Sequence, residues 1–190
     1  MKMMTTKPVL AAVLLAALAA CSSTITRLDM PSVTSDRDLR ALVGSVKVQT
    51  VSLPTYAATE EIALETAPGI ITSDGELLWA DDPQRGVTLQ ITRQLDDILT
   101  ATVGPDPWPF AGLPDVTVDV RIAEMLGSVD GTFTLAGQYY IGGDGIDFRE
   151  SSDDFNIVVA MATPDINAVA AAQATALLQL SEQIAGRLGR

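Results

Sequence analysis

Apolar and polar residues alternate over several short stretches of this chain, a pattern typical of strands with one buried face. The clearest stretch is 116–122, where Val or Ile stands at every even position and polar residues lie between them. Similar patterns predict further strands over residues 42–53, 61–66, 132–141 and 155–161. In the first of these the apolar positions change parity between Val48 and Val51, which predicts a bulge or a strand buried on both faces.

Apolar positions three and four residues apart predict a helix after Asp82-Pro83. Asp82 is suited to be its N-cap and Pro83 to be its first helical residue, and Gly104 is expected to end it. The predicted buried stripe consists of Val87, Ile91, Leu95, Ile98 and Thr102.

A second helix is predicted to begin at Thr163-Pro164, with Thr163 as its N-cap. Its apolar positions are Ile166, Val169, Leu177, Leu180, Ile184 and Leu188. Because residues 166–181 are rich in Ala and almost uncharged, we expect this helix to be covered on more than one side.

The resulting order of elements, β-β-α-β-β-β-α, predicts an α+β fold. Residues 42–190 are expected to form a single two-layer domain, with a mixed, mostly antiparallel sheet and both helices packed on one face.

The N-terminal residues have the pattern of an export signal. Residues 1–7 carry two Lys and no acid, and residues 9–20 are a short apolar run that is too short to span a bilayer. The run ends in Leu18-Ala19-Ala20-Cys21, which resembles the lipobox of bacterial lipoproteins. We therefore expect residues 1–20 to be a lipoprotein signal peptide and Cys21 to be lipidated; the alternative is ordinary cleavage after Ala19.

Residues 21–41 are expected to connect the anchor to the domain as a flexible tether. The stretch 22–38 is rich in Ser, Thr and Asp and has no apolar periodicity, although an edge strand around residues 25–30 is the alternative. The residue after Cys21 is Ser22 and not Asp. By resemblance to the sorting of lipoproteins in enteric bacteria, this favours the outer membrane.

Charge and composition exclude several classes of function. Removing residues 1–20 takes away Lys2 and Lys7 and no acid, so the formal net charge changes from −12 to −14. A chain without a basic cluster is not expected to bind nucleic acid. The chain has no His, which excludes Ser-His-Asp and Cys-His catalysis and imidazole metal sites.

Two stretches resemble chemical sites weakly. Residues 142–147 match one copy of the Gly-Gly-x-Gly-x-Asp pattern of calcium-binding β-roll repeats, but those proteins share each ion between successive repeats. The acidic residues Asp144, Asp147, Glu150, Asp153 and Asp154 form a cluster in and after this pattern, and a solvated loop is the favoured interpretation. No phosphate-binding glycine loop or metal-ligand spacing is present, so we expect neither a metal nor a cofactor.

Large aromatic residues are scarce, and two of them share one loop. Trp79 is expected to pack in the core. Trp108 and Phe110 lie between prolines in the stretch 104–115, where they either pack locally or contact a protein or acyl partner.

At residues 48–56, Val-Gln-Thr-Val-Ser-Leu-Pro-Thr-Tyr, the chain looks like the PqiC-like ABC-type transport auxiliary lipoproteins. The family pattern is a strand ending in Leu-Pro-x-Tyr, a hairpin, and Trp-Ala-Asp/Glu at the head of a helix. It is matched here by Leu53, Pro54, Tyr56, Trp79, Ala80 and Asp81, and residues 174–188 are similar to the closing helix of the family.

The resemblance implies a non-catalytic accessory of a lipid-transport system that contains an MCE-domain protein. It places the protein on the periplasmic face of the outer membrane of a Gram-negative bacterium, with Cys21 as the anchor and the other motif residues in structural roles. Two alternatives remain open: a tethered hydrolase that uses the carboxylates of 147–154, and a structural envelope lipoprotein that forms homo-oligomers through its final helix.

Overall fold

The computed structural model describes residues 25–143 and 148–190, and the alternating stretches pair there into one mixed sheet. The strands are β1 (Thr26–Leu28), β2 (Ser45–Val48), β3 (Glu61–Ala67), β4 (Ile70–Trp79), β5 (Thr102–Pro105), β6 (Val116–Ser128), β7 (Thr132–Gly143) and β8 (Ser151–Ala160). The helices are α1 (Pro83–Ile98) and α2 (Val169–Leu188), with short 3-10 helices at Thr55–Ala57 and Ile166–Ala168.

The long strand β6 lies at the centre of the sheet. One edge of β6 pairs antiparallel with β7, which pairs antiparallel with β8. The other edge holds two parallel strands end to end: Val46 of β2 lies opposite Val116, and Leu64 of β3 lies opposite Gly127. β5 extends the sheet beyond β2, while β4 and then β1 extend it beyond β3.

Both helices bury their apolar sides against the sheet and against each other, which confirms the predicted α+β fold. The predicted stripe of α1 is fully buried from Val87 to Ile98, and each such side chain contributes about 1.5–3 kcal/mol of transfer free energy. Between the helices, the Ser181 hydroxyl donates to Gln94 Oε1 at 2.8 Å. Helix α2 is buried on more than one side, as its Ala-rich sequence predicts.

The parity change after β2 is a bulge. Val48 lies opposite Val118, but Ser52 lies opposite Arg121, so this segment contains one more residue than its partner in β6. The displaced backbone at Val51 bonds to α1 instead, accepting from Gln84 Nε2 at 2.8 Å and donating to Thr88 Oγ1 at 3.0 Å.

The N-terminal segment differs from the expected tether over residues 26–41. The structure has the edge strand that was the alternative, because Thr26 to Leu28 pair in parallel with Leu77 to Trp79. The following residues lie along the helices, where Gln94 Nε2 donates to the Val33 carbonyl at 3.2 Å and Leu39 N–H donates to the Ile98 carbonyl at 2.7 Å. In these contacts, backbone groups of the N-terminal segment bond to the helices instead of to water, which the sequence alone does not indicate.

Two more strands are absent from the sequence-based order. Ser73-Asp74-Gly75 has the composition of a turn but lies inside β4. A register shift accommodates it, since Ile62 lies opposite Asp74 whereas the preceding residue, Glu61, lies opposite Leu78. Gly104, expected to end the first helix, lies in β5 beside β2, because α1 already ends at Ile98.

The cap of the second helix is also displaced. Asp165 rather than Thr163 accepts the Asn167 N–H, at 2.9 Å, and a 3-10 turn precedes α2. Hydrogen bonds from Thr163 and Asn167 hold the pKa of Asp165 below its ordinary value.

Candidate functional site

The motif residues Tyr56 and Trp79 meet on the helix side of the sheet, beside Met125 of β6. The Tyr56 hydroxyl accepts the Met125 N–H at 3.2 Å, and burial raises the pKa of this tyrosine above its ordinary value. Trp79 is buried and ends β4, and its carbonyl accepts from Arg27 Nη1 at 2.7 Å. The two aromatic residues therefore join β1, β4 and β6.

The other motif residues shape the chain on either side of these rings. The Pro54 carbonyl accepts N–H bonds from Ala57 and Ala58 and so starts the 3-10 turn, while Leu53 packs partly against the core. Ala80 donates its N–H to the Leu28 carbonyl at 2.9 Å.

Asp81 and Asp82 end the motif at the head of α1. The Asp82 carboxylate accepts the Arg85 N–H at 2.7 Å, which confirms Asp82 as the N-cap, and Pro83 is the first helical residue. Asp81 forms an exposed ion pair with the Arg85 side chain. An exposed pair of this kind contributes little stability.

A cavity of about 350 Å³ lies next to the motif, between the N-terminal segment and the two helices. Residues 28–32, Trp79, Gln90 and Gln173 are part of its lining. Gln173 is 1% exposed, and its Nε2 has no acceptor among the described residues. Sequence reasoning missed this amide, since a single Gln in an Ala-rich helix carries no pattern of its own.

Trp108 and Phe110 lie in the segment 106–115, which we call the aromatic loop. Their rings are edge-to-face with centroids 5.0 Å apart, so they pack on each other as one unit. Trp108 is partly buried, and its Nε1 has no acceptor among the described residues. Phe110 remains 49% exposed.

The aromatic loop folds back over its own strand because Gly104 leaves room for it. A Cβ at Gly104 would lie within 3.0–3.1 Å of Phe110, Pro109 and Trp108. The loop is also fixed to β2, since Asp106 donates its N–H to the Val48 carbonyl at 2.8 Å and its carboxylate pairs with Lys47 at 3.3 Å. The loop is therefore held in place by the sheet.

A cavity of about 730 Å³, which we call the distal groove, lies where β2 and β6 begin. Leu42 and Leu113 are on its rim, and Leu113 is 92% exposed. Below them the Asp115 carboxylate accepts the N–H groups of Gly44 and Ser45 at 2.7 and 2.9 Å. Leu42, predicted to begin a strand, lies before β2 and is exposed. Sequence reasoning missed Leu113, although an apolar residue between Gly112 and Pro114 has no strand or helix face to occupy.

The acidic residues do not gather into one site among the described residues. Asp153 and Asp154 are consecutive on β8, so their side chains point to opposite faces. Asp153 pairs with Arg187, and Asp154 accepts from Gln138 Nε2 at 2.6 Å. Glu150 is exposed, and Asp144 and Asp147 lie outside the described residues.

Two further predictions fall on residues that the structure does not describe. Cys21 and most of the Gly142–Asp147 pattern lie outside the described ranges. Within residues 25–143 and 148–190 no group of His, Cys, Asp and Glu is arranged to hold a metal ion. No helix in the same part of the chain is long and apolar enough to cross a membrane.

The motif cluster and the aromatic loop are separate places on the molecule. Met125 lies at the first place and Val116 near the second. Met125 is nine positions after Val116 in β6, about 30 Å along the strand. The motif cluster is therefore a contact between elements inside the fold, near β1, whereas an exposed apolar surface lies at the other end of β6.

Comparisons with known proteins give a consistent assignment. The family model described as ABC-type transport auxiliary lipoprotein component matches residues 27–185. The comparison with curated proteins found no match.

Two crystal structures share the fold. One is of an uncharacterized protein, with 18% sequence identity and a TM-score of 0.70 over 86% of this chain and 97% of the other. The second is of a Xanthomonas campestris protein of the DUF330 family, with 17% identity and a TM-score of 0.66 over 85% of this chain and 93% of the other.

Proposed function

Because the chain belongs to the family of ABC-type transport auxiliary lipoprotein components, we propose that it serves a lipid-transport system as a non-catalytic docking subunit. In this proposal Cys21 carries the lipid anchor in the periplasmic face of the outer membrane, and the domain binds an MCE-domain protein of the transporter. The role is mechanical: the anchor fixes one end of the domain and the partner binds the other.

The observation that carries the proposal is the exposed apolar surface formed by the aromatic loop and the distal groove. Phe110 and Leu113 expose large apolar side chains at the end of the sheet where β6 begins. Exposed apolar clusters rimmed by polar groups mark interaction sites, and aromatic anchors dominate binding energy. The loop's attachment to β2 means that binding costs little ordering entropy.

The position of the anchor supports the same arrangement. β1 begins at Thr26, five residues after Cys21, and its N-terminal end is directed away from the distal groove. A lipid on Cys21 therefore leaves the aromatic loop free to face the periplasm. With a net charge of −14 after removal of residues 1–20, the domain is repelled from anionic lipid surfaces in general.

Recovery of partners from detergent extracts tests this proposal. We expect the intact lipoprotein to recover an MCE-domain protein. The double change Phe110→Ser and Leu113→Ser is expected to weaken recovery tenfold or more, because a loss of about 1.4 kcal/mol of contact free energy already changes Kd tenfold.

The matched control is Val158→Ser, which removes an apolar side chain of similar exposure from β8, away from the loop. Recovery of no MCE or ABC-transporter protein, or equal recovery by both variants, would contradict the proposal.

The two alternatives gain no support from the described residues. The acidic side chains of β8 diverge and are held by Arg187 and Gln138, so they form no acid–base pair for hydrolysis. Of the small residues of α2, Ala174 and Ala176 are fully buried within the chain and are not available to a second copy.

A further inference from the structure

The start of β1 fixes how far the lipid anchor can be from the sheet. Only four residues separate Cys21 from Thr26, and a fully extended chain advances at most about 3.6 Å per residue. The Cα atom of Cys21 therefore lies within about 18 Å of that of Thr26. A lipidated Cys21 holds this edge of the sheet against the bilayer.

The direction of β1 indicates which part of the edge faces the lipid. β1 is parallel to β4, with Thr26 opposite Leu77, and β4 starts at the hairpin that joins it to β3. The N-terminal end of β1 is thus directed toward this hairpin. The five residue-to-residue steps of β3 from Ile62 to Ala67 cover the distance to the hairpin, about 17 Å. That distance is within the maximum reach of the chain between Thr26 and Cys21, about 18 Å.

The end of this hairpin, residues 66–73, is what we call the hairpin tip. It exposes two large apolar side chains, Ile70 at 56% and Ile71 at 40%. Its eight residues contain no charge, although the whole chain carries 24 acids. The nearest carboxylate before it, that of Glu65, accepts the Gly69 N–H at 2.9 Å and is thereby directed to the backbone of the turn.

The backbone of the turn is paired and unstrained. Ala67 and Ile70 are paired across Pro68-Gly69, and Gly69 adopts φ +74°, a value that Gly takes without strain. The neighbouring β6–β7 turn exposes Val129 but also carries Asp130, so of these two turns only the hairpin tip is both apolar and uncharged.

We propose that the hairpin tip is a second membrane contact: Ile70 and Ile71 enter the interface of the same lipid leaflet that holds the acyl chains of Cys21. This inference rests on the proposed lipid anchor. The tip makes apolar contact with lipid through a stretch of the acidic domain that carries no charge. Two fixed points orient the domain, whereas a single lipid tether leaves it free to rotate, and the aromatic loop then faces away from the bilayer.

Depth-dependent quenching on vesicles tests the proposal with the full lipidated protein. The chain has one Cys, and in this proposal the lipid occupies its sulfur, so the change Ile71→Cys introduces the one thiol available to an environment-sensitive fluorophore. The labelled protein is reconstituted into phosphatidylethanolamine–phosphatidylglycerol vesicles with or without lipids that carry a nitroxide at a shallow depth. Val158→Cys, at 58% exposure on β8, is the matched control.

We expect the label at position 71 to emit at shorter wavelength and to lose intensity to the nitroxide, as a group buried about 5–10 Å into the interface does. The label at position 158 is expected to emit as in water with no quenching. A protein that floats with the vesicles while both labels behave alike would overturn the hairpin contact and leave the anchor intact. A protein that does not float would overturn the anchor, and the hairpin contact with it.

Discussion

At the scale of single residues, the motif aromatics contribute to the fold through hydrogen bonds and through burial, with Trp79 buried and Tyr56 partly buried. The Tyr56 hydroxyl accepts the backbone N–H of Met125, at 3.2 Å, and the Trp79 carbonyl accepts from Arg27. A buried phenol is favoured in its neutral form, because burial penalises the charged phenolate. This preference makes stability depend on pH.

Tyr56→Phe is expected to weaken the loss of stability at alkaline pH. Burial raises the pKa of Tyr56 above 10.0, so its contribution is fully present below the unfolded pKa and is lost as pH rises through the folded pKa. Urea unfolding measured from about pH 8 to about pH 11, a range that includes the ordinary pKa of a tyrosine, should therefore give a shallower decline for the variant.

Burial also raises the pKa of Tyr139, so Tyr139→Phe serves as a parallel comparison and should flatten the same curve independently. Wild-type behaviour of Tyr56→Phe across this pH range would mean that the phenol is not protected from water.

At the scale of elements, the strands are bent by irregularities at which residues of particular size are required. β6 and β7 lose register between Ile122 and Glu124, and Gly137 lies opposite Ile122 at this point. A Cβ at Gly137 would overlap the carbonyl oxygen of Arg121 and would lie 3.0 Å from the Phe155 ring. The close approach of β6 and β7 therefore depends on the absence of a side chain.

Gly137→Ala is accordingly expected to destabilise the protein by about 1–3 kcal/mol, the usual cost of overpacking. Gly142→Ala is the matched control, because it lies in the same strand and a Cβ there meets nothing within 4 Å. Both free energies of unfolding come from urea titrations. Equal stability of the two variants would show that the backbone at the register shift adjusts freely.

At the scale of the whole molecule, two surfaces lie at opposite ends of β6. The aromatic loop and the distal groove are at its start, and the hairpin tip and β1 are toward its end. The short distance from Cys21 to β1 couples the anchor to the orientation of the domain. A longer connection should remove that coupling without changing the fold.

Insertion of ten Gly and Ser residues between Ser23 and Thr24 is expected to lift the hairpin tip from the lipid. A flexible segment of this length adds roughly 17 Å of reach. Quenching of the label at position 71 should then fall relative to the uninserted protein, while flotation with the vesicles stays the same. Undiminished quenching would mean that the isoleucines hold the domain on the membrane without help from the short connection.

The local pattern was sufficient for the elements that bury one regular face. The alternation of β6, the stripe of α1 and the cap at Asp82 follow from side-chain period and from one carboxylate three residues before an N–H. The α+β class and the placement of both helices on one face follow from the same periods. The family resemblance came from a few short motifs, and the family match over residues 27–185 confirms it.

Only the tertiary structure decided the rest, because it depends on partners distant in sequence. β1 and β5 are short and are defined by pairing with β4 and β2, and β4 contains a turn-like Ser73-Asp74-Gly75 that the register shift absorbs. The exposure of Leu113, the buried amide of Gln173 and the direction of β1 toward the hairpin tip are likewise properties of packing. A sequence determines which side chains avoid water, but the folded arrangement determines which of them are left facing it.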